Sequence, residues 1–352
     1  MTHPYKTREG GATVTIFVPY DCKNNCPFCI NKGEYADLTG FSAEKICQSI
    51  RRMDAITPYC DFVFTGGEPF ADLKSLQTML DCIPTTHKVY INTTLPVSEH
   101  QSEADILAFA ERNKHKITCI NVSRHMQHYV VESNDGLLAK LPVPFRINCV
   151  LYKNYPAKNL VPYMERFHQI PGASIQFRFD YTATTPENLY DEDGDKILQD
   201  LKQVARYTGL DGCRMRCGFH FDYKGMELTY HKTLPYSTIV ETDPVNGVTY
   251  DILYDILIKQ NGDIHSDWDG TPLDVDAYEK VVFEPYDLKW LARIAETPKA
   301  AEHPPLFSSQ RRQSYETHPN CGRHRPGSFG RAVRRPVHPR PGKGPRPGAG
   351  GP

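Results

Sequence analysis

Thr13-Val14-Thr15-Ile16-Phe17-Val18-Pro19-Tyr20-Asp21-Cys22-Lys23-Asn24-Asn25-Cys26-Pro27-Phe28-Cys29 takes an apolar, β-branched run straight into three cysteines. The run at 13–18 reads as a strand buried on both faces. The cysteines follow the spacing CxxxCxxC. Three thiolates on so short a loop can converge on one soft metal centre. A structural zinc site takes four closed ligands, and no fourth Cys or His lies close by; the next cysteine, Cys47, falls in a helical pattern. An iron–sulfur cluster also normally takes four cysteines. Three alone suggest a cluster with one iron left open for another ligand. On the triplet by itself, a chance grouping or an incomplete zinc knuckle stays open.

Outward from this loop the chain alternates strands and helices. Further apolar runs lie at 61–65, 88–92, 117–122, 145–151 and 174–179. Between them are helical patterns. Ser42 is a candidate N-cap for a helix carrying Ile46, Ile50 and Met53, and Asp72 starts one with Leu73, Leu76 and Leu80. Others cover 103–112, 159–169 with Pro162 in its first turn, and 195–207. Such alternation predicts an α/β fold with a parallel sheet and helices outside. Six strands are too few for a closed eight-stranded barrel, so the expectation is an open or partial barrel, with its chemistry at the strand C-terminal ends. After Gly209 the rhythm changes to antiparallel strands at 226–231, 237–241 and 249–259, with a short piece after Asn261-Gly262 and a last helix at 285–296. The expected domains are therefore a barrel at 1–209, a small β-rich C-terminal module at 210–298, and a disordered basic tail rich in Pro, Gly and Arg at 299–352.

Composition excludes several classes. The chain has 352 residues, with 41 Lys+Arg against 42 Asp+Glu. The balance hides an asymmetry: residues 303–352 hold ten basic residues and one acid, and the rest holds 31 basic and 41 acidic. An acidic body argues against a nucleic-acid substrate. No run of about 18 apolar residues occurs, so no membrane span is expected. The first eleven residues hold no apolar segment of a secretory signal. With 11 cysteines, this favours a cytoplasmic, reducing setting with thiols kept for metal or redox chemistry. No HExxH or Ser–His–Asp pattern competes.

A second motif, Phe62-Val63-Phe64-Thr65-Gly66-Gly67-Glu68-Pro69, follows the next strand. Two glycines at a strand end let the backbone approach a ligand closely. Alone, this segment could be an ordinary strand–helix turn. In this order, CxxxCxxC with Phe28 before its third cysteine, then GGEP, resembles the radical S-adenosylmethionine (radical SAM) superfamily. The likeness covers residues 13–179 and is greatest to the molybdopterin-precursor synthase and peptide-maturase branch, through Phe145-Arg146-Ile147-Asn148-Cys149-Val150-Leu151 and Ile175-Gln176-Phe177-Arg178-Phe179.

The resemblance implies a partial (β/α)6 TIM-like barrel and a metal site at Cys22, Cys26 and Cys29. These would ligate three irons of a 4Fe-4S cluster, and S-adenosyl-L-methionine (SAM) would chelate the fourth. Phe28 would lie near the adenine. Gly66, Gly67 and Glu68 would receive the methionyl ammonium, and Thr93 the carboxylate. Ser123 would contact the ribose, with Asn148 and Arg178 pointing the same way. An external one-electron reductant, flavodoxin- or ferredoxin-like, would let the cluster split SAM to a 5′-deoxyadenosyl radical. That radical would take hydrogen from a peptide, protein or small-molecule substrate. The rival from another class is a non-catalytic iron–sulfur or zinc sensor on the same barrel.

The remaining cysteines read mostly as buried core thiols, among them Cys47, Cys60, Cys82, Cys119 and Cys149. Relatives in that branch often hold an auxiliary cluster after the barrel. Cys213, Cys217, His220 and His265 are the candidate ligands here, and core thiols are the alternative.

Overall fold

Apolar residues at alternate positions give the strands at Cys60–Gly66, Lys88–Thr93 and Phe145–Leu151 one face to bury, while the strand at Ala12–Val18 is buried along nearly its whole length. The structure, a computed structural model, describes residues 4–266 and 273, apart from 8–11, 20–21, 23, 25, 27, 30–38, 58–59, 99–100, 127–133, 152–153, 180–190, 211–217, 233–237 and 243–245. In chain order the first half holds β1 (Tyr5–Thr7), β2 (Ala12–Val18), α1 (Ala43–Ile56), β3 (Cys60–Gly66), α2 (Leu73–Asp81), β4 (Lys88–Thr93), α3 (Glu103–Arg112), β5 (Ile117–Ser123), α4 (Asp135–Leu138), β6 (Phe145–Leu151), α5 (Leu160–His168) and β7 (Ile175–Phe179). There follow α6 (Lys196–Val204), β8 (Arg206–Leu210), β9 (Gly218–Tyr223), β10 (Met226–His231), β11 (Thr238–Thr242), β12 (Thr249–Leu253), β13 (Asp255–Ile258) and β14 (Ile264–His265).

Strands β2 to β7 lie side by side in sequence order, each neighbouring pair parallel. β13 adds a parallel strand beside β2, and β10 one beside β7. β14 then pairs antiparallel with β13, β9 with β10, and β8 with β9. The result is a mixed α/β fold around an 11-stranded, mostly parallel sheet, with a separate 3-stranded sheet of β1, β12 and β11.

The helices begin where the sequence puts their caps. The Ser42 hydroxyl accepts from the Lys45 N–H, and the Asp72 carboxylate from those of Lys74 and Ser75. Ser102 and Asp105 close a capping box on α3. Ile46, Ile50 and Met53 of α1, Leu76 and Leu80 of α2, and Ile106 and Phe109 of α3 are buried in one core. Phe62 and Phe64 of β3, Ile91 of β4 and Val122 of β5 belong to the same core. Their neighbours in each strand face the other way, and apart from Val63 these carry polar groups: Asp61, Thr65, Tyr90, Asn92, Asn121 and Ser123.

The six strands and the starts of the helices lie within two residues of expectation. The helix expected over 195–207 stops at Val204. Ala205 is extended (φ −138°, ψ 151°), and Arg206–Leu210 becomes β8. Pairing with β9 gives those peptide groups partners that another helical turn would have competed for. The strand expected over 249–259 breaks at Tyr254 into β12 and β13, which serve different sheets. The strands after Gly209 form no sheet of their own. They extend both edges of the large sheet or join β1 in the small one; β10 is antiparallel to β9, as expected of this segment, and its other edge is parallel to β7. The chain divides into Met1–Glu296 and Thr297–Pro352. The second unit, the helix expected at 285–296 and the tail at 299–352 lie outside the described residues. No described helix is long and apolar enough to cross a membrane.

Two details of this frame are testable. Cys47 of α1 and Cys82, just past α2, were expected as separate core thiols but are joined as a disulfide, with Cα atoms 5.6 Å apart. The helices lie next to each other on the sheet, which no local sequence pattern reveals. A bonded pair does not accord with thiols kept reduced. In protein purified without reductant, alkylation under denaturing conditions should leave Cys47 and Cys82 unmodified until a reductant is added; modification of both beforehand would contradict the pairing.

The second detail is Gly66, with φ +116°. A Cβ there would lie 2.3 Å from the Val18 carbonyl oxygen and 2.8 Å from its nitrogen. Neither the conformation nor the gap admits a side chain. Gly66→Ala should destabilise the fold by ~2–4 kcal/mol. Thermal denaturation would then show a fall of several degrees, and an unchanged melting temperature would contradict the account.

Candidate functional site

The cysteine loop and the GGEP turn meet because their strands do. β2 and β3 run in register to their ends, Val18 opposite Gly66. The Gly67 N–H donates to the Val18 carbonyl at 2.9 Å. One segment leaves from each strand at the C-terminal edge of the sheet. The Cys22 thiol feels the charges of both Glu68 and Cys29. Burial pushes this thiol up, and a hydrogen bond from Asn24 opposes the shift. The Cys29 N–H donates to the Cys26 carbonyl at 3.1 Å, closing a turn. Cys22, Cys26 and Cys29 are free of disulfides and half-buried. Three such thiols suit a thiophilic metal such as iron or zinc. Among the described residues, however, no three His, Cys, Asp or Glu side chains gather about a point that could hold a metal ion.

Phe28 meets the ring of His125 edge-on, with centroids 4.8 Å apart. His125 follows the end of β5, and its Nδ1 accepts from the Val150 N–H at 3.2 Å. Burial, helped by the charge of Arg124, pushes this imidazole down to about 4, so it is neutral. The loop that begins at β2 is thus tied to the ends of β5 and β6.

Glu68 is buried, and its carboxylate is fully engaged. Oε1 accepts from the Phe70 N–H (3.0 Å) and the Thr93 hydroxyl (2.5 Å). Oε2 accepts from the Thr94 N–H (2.8 Å) and the Thr94 hydroxyl (2.7 Å). A carboxylate offers about four lone-pair sites, so all are taken. Burial pushes the carboxyl above its ordinary range, and these donors oppose it. The Thr93 hydroxyl also accepts from the Leu95 N–H at 2.9 Å. A ligand ammonium on Glu68, or a ligand carboxylate on Thr93, would have to take the place of one of these bonds.

Sequence reasoning missed Thr94 and Arg124. Arg124 follows β5 and is almost wholly buried. Its Nη1 donates to the carbonyls of Thr94 and Ser123, both at 2.9 Å, and its Nε to Asp135 at 3.1 Å. Its Nη2 has no partner among the described residues. A basic residue directly after a buried strand was the only signal available.

Ser123 and Asn148 are brought together, Ser123 at the end of β5 opposite Asn148 in the middle of β6. Asn148 Oδ1 is buried with no partner among the described residues. Arg178 is exposed on β7 and its Nε donates to Gln176 at 3.1 Å. Of the proposed second metal site, Cys213 and Cys217 lie outside the described residues. His220 is on β9 and His265 on β14, toward opposite ends of the strand order.

No protein-family model matches the sequence, and no curated protein matches it. Among solved structures, the chain is similar to crystal structures of SuiB from Streptococcus suis. One shares 13% identity over 84% of this chain and 68% of that one, with a TM-score of 0.46. The other, bound to S-adenosylmethionine, shares 14% identity over 76% of this chain and 63% of that one, with a TM-score of 0.44. Both scores are too low to establish a shared fold.

Proposed function

We propose that this chain is a radical SAM enzyme. The observation that carries the reading is that β2 and β3 end together, Val18 opposite Gly66 with the Gly67 N–H on the Val18 carbonyl, so the cysteine loop and the GGEP turn leave the sheet side by side. Two motifs far apart in the sequence thereby share one edge of one sheet. The strand order of β2 to β7, sequential and parallel, is that of a singly wound βα barrel and supports a partial (β/α)6 barrel. Loading would require Cys22, Cys26 and Cys29 to converge on one centre. When bound, a 4Fe-4S cluster held by these thiols would supply the electron that splits SAM to a 5′-deoxyadenosyl radical, with an external one-electron donor replenishing it.

This chain's own residues do the positioning. The Glu68–Thr93–Thr94 knot fixes the turn after β3, so the bare peptide groups of Gly66 and Gly67 are presented in one geometry. Gly66 also serves the fold, because Val18 occupies the space its side chain would need. Phe28, held against His125, forms one wall. Ser123 and the unpartnered Asn148 Oδ1 offer hydrogen bonds to ribose hydroxyls. The substrate we infer is a peptide, protein or small molecule, and the acidic body speaks against nucleic acid.

Anaerobic reconstitution should give about four irons per chain, the content of one such cluster. Dithionite and SAM should then release 5′-deoxyadenosine. In the Cys22→Ala, Cys26→Ala, Cys29→Ala triple variant both iron and product should be lost. Iron retained in that variant, or no product from loaded protein, would overturn the reading.

A further inference from the structure

The one disulfide among the described residues has two unequal halves. Cys47 lies in α1, and Cys82 caps the C-terminal end of α2. Cys47 is 3% exposed and packed in the core, whereas Cys82 is only half-buried. A thiol or disulfide from solution can reach the Cys82 sulfur but not that of Cys47.

Arg51, one helical turn after Cys47 on α1, brings its Nη2 to 3.8 Å from Cys82 Sγ. Among the described residues Arg51 has no carboxylate partner. A guanidinium in this position stabilises a thiolate beside it. The end of α2 acts the other way, because the last carbonyls of a helix disfavour an anion. The reactivity of Cys82 therefore depends on Arg51.

The open form is accommodated as well as the bonded one. The Thr78 carbonyl of α2 lies 3.5 Å from Cys47 Sγ and 3.3 Å from Cys82 Sγ. The Cys82 N–H turns to the carbonyls of Met79 and Leu80, so it does not give Thr78 the hydrogen bond of a continuing helix. Reduced thiols at 47 and 82 thus have an acceptor in place, and opening the bond strands neither sulfur. The buried thiols of Cys60 and Cys149 differ: burial pushes both up to about 12, and both are free of disulfides.

We propose that Cys82 is a site of reversible thiol–disulfide exchange with a small thiol of the glutathione class, with Cys47 as the resolving thiol. In oxidation, the Cys82 thiolate attacks oxidised glutathione. A bond forms between Cys82 Sγ and one glutathione sulfur, and the other glutathione leaves as thiolate. The Cys47 thiolate then attacks Cys82 Sγ and expels the second glutathione thiolate. Two protein thiols are oxidised to one disulfide, one glutathione disulfide is reduced to two thiols, and the two thiol protons pass to the departing thiolates. Reduction retraces these steps and enters again at Cys82. In chain order α1 comes after the cysteine loop and α2 after the GGEP turn, so exchange tightens or loosens the helices behind both motifs. The proposal rests on neither cluster nor SAM and is independent of the proposed function.

The test incubates the full chain, under native conditions and without reconstitution, in mixtures of reduced and oxidised glutathione. Alkylation and peptide mass spectrometry read each cysteine separately. For a given mixture the bonded fraction should reach one value from either the bonded or the open protein, and should fall as reduced glutathione rises. The bonded form should melt several degrees higher, because the bond restricts the unfolded chain. Cys47→Ser should collect one glutathione on Cys82, and Cys82→Ser none on Cys47. Arg51→Met should slow closure of the pair about threefold, since an approximately tenfold loss of thiolate outweighs the gain in nucleophilicity. A pair that stays bonded in excess reduced glutathione would overturn the proposal. So would glutathione on Cys47 of Cys82→Ser as readily as on Cys82 of Cys47→Ser. Should a serine variant not fold, closure in Arg51→Met decides, and an unchanged rate there would overturn it.

Discussion

The contact between Val18 and Gly66 is the constraint on which the site depends. A carbonyl of one strand occupies the space where the next strand would carry a side chain. This lets β2 and β3 stay in register to their last residues and turn away together. The cysteine loop and the GGEP turn start from that point. A side chain at Gly66 would push apart the two segments whose proximity carries the functional reading. The first glycine of the motif thus has a structural duty before any ligand is considered.

Polar groups, not apolar ones, secure the same edge farther along. Glu68 ties β3 to the end of β4 through both oxygens, and Arg124 ties β4 to β5 through the carbonyls of Thr94 and Ser123. Such buried groups cost a great deal to leave unpaired and specify geometry when satisfied. The two ties share Thr94, whose N–H and hydroxyl serve Glu68 and whose carbonyl serves Arg124. Three consecutive strand ends are therefore locked by one short polar network, and a ligand on Glu68 or Thr93 would have to displace one of its bonds.

Much of this was legible in the sequence where the signal is local. Strands β2 to β7 and helices α1 to α3 follow from runs of Val, Ile and Phe and from caps such as Ser42 and Asp72, because burial and capping act over a few residues. What failed was partnership. Residues 226–231 were recognised as a strand, but its parallel place beside β7 is decided by a segment far away in the chain. Arg206 and Tyr207 looked helical because they continue the pattern of α6, and only β9 makes them the start of a strand. The Cys47–Cys82 bond depends on two helices lying together. At the site, the three cysteines and GGEP could be picked out, and the saturation of Glu68 could not, since its donors come from β4. Arg146 could be quoted as part of a strand, yet the hydrogen bonds that link it through Asn121 to Asn92 exist only once three strands are in register.

The central claim is that thiols at the end of β2 hold a cluster whose open iron is met by a ligand seated at the end of β3. Electron paramagnetic resonance of the reduced, reconstituted chain tests this most directly. The account predicts that adding SAM changes the g-values of the signal, and that Gly66→Ala, if it can be loaded, diminishes the change. A spectrum identical with and without SAM would contradict it.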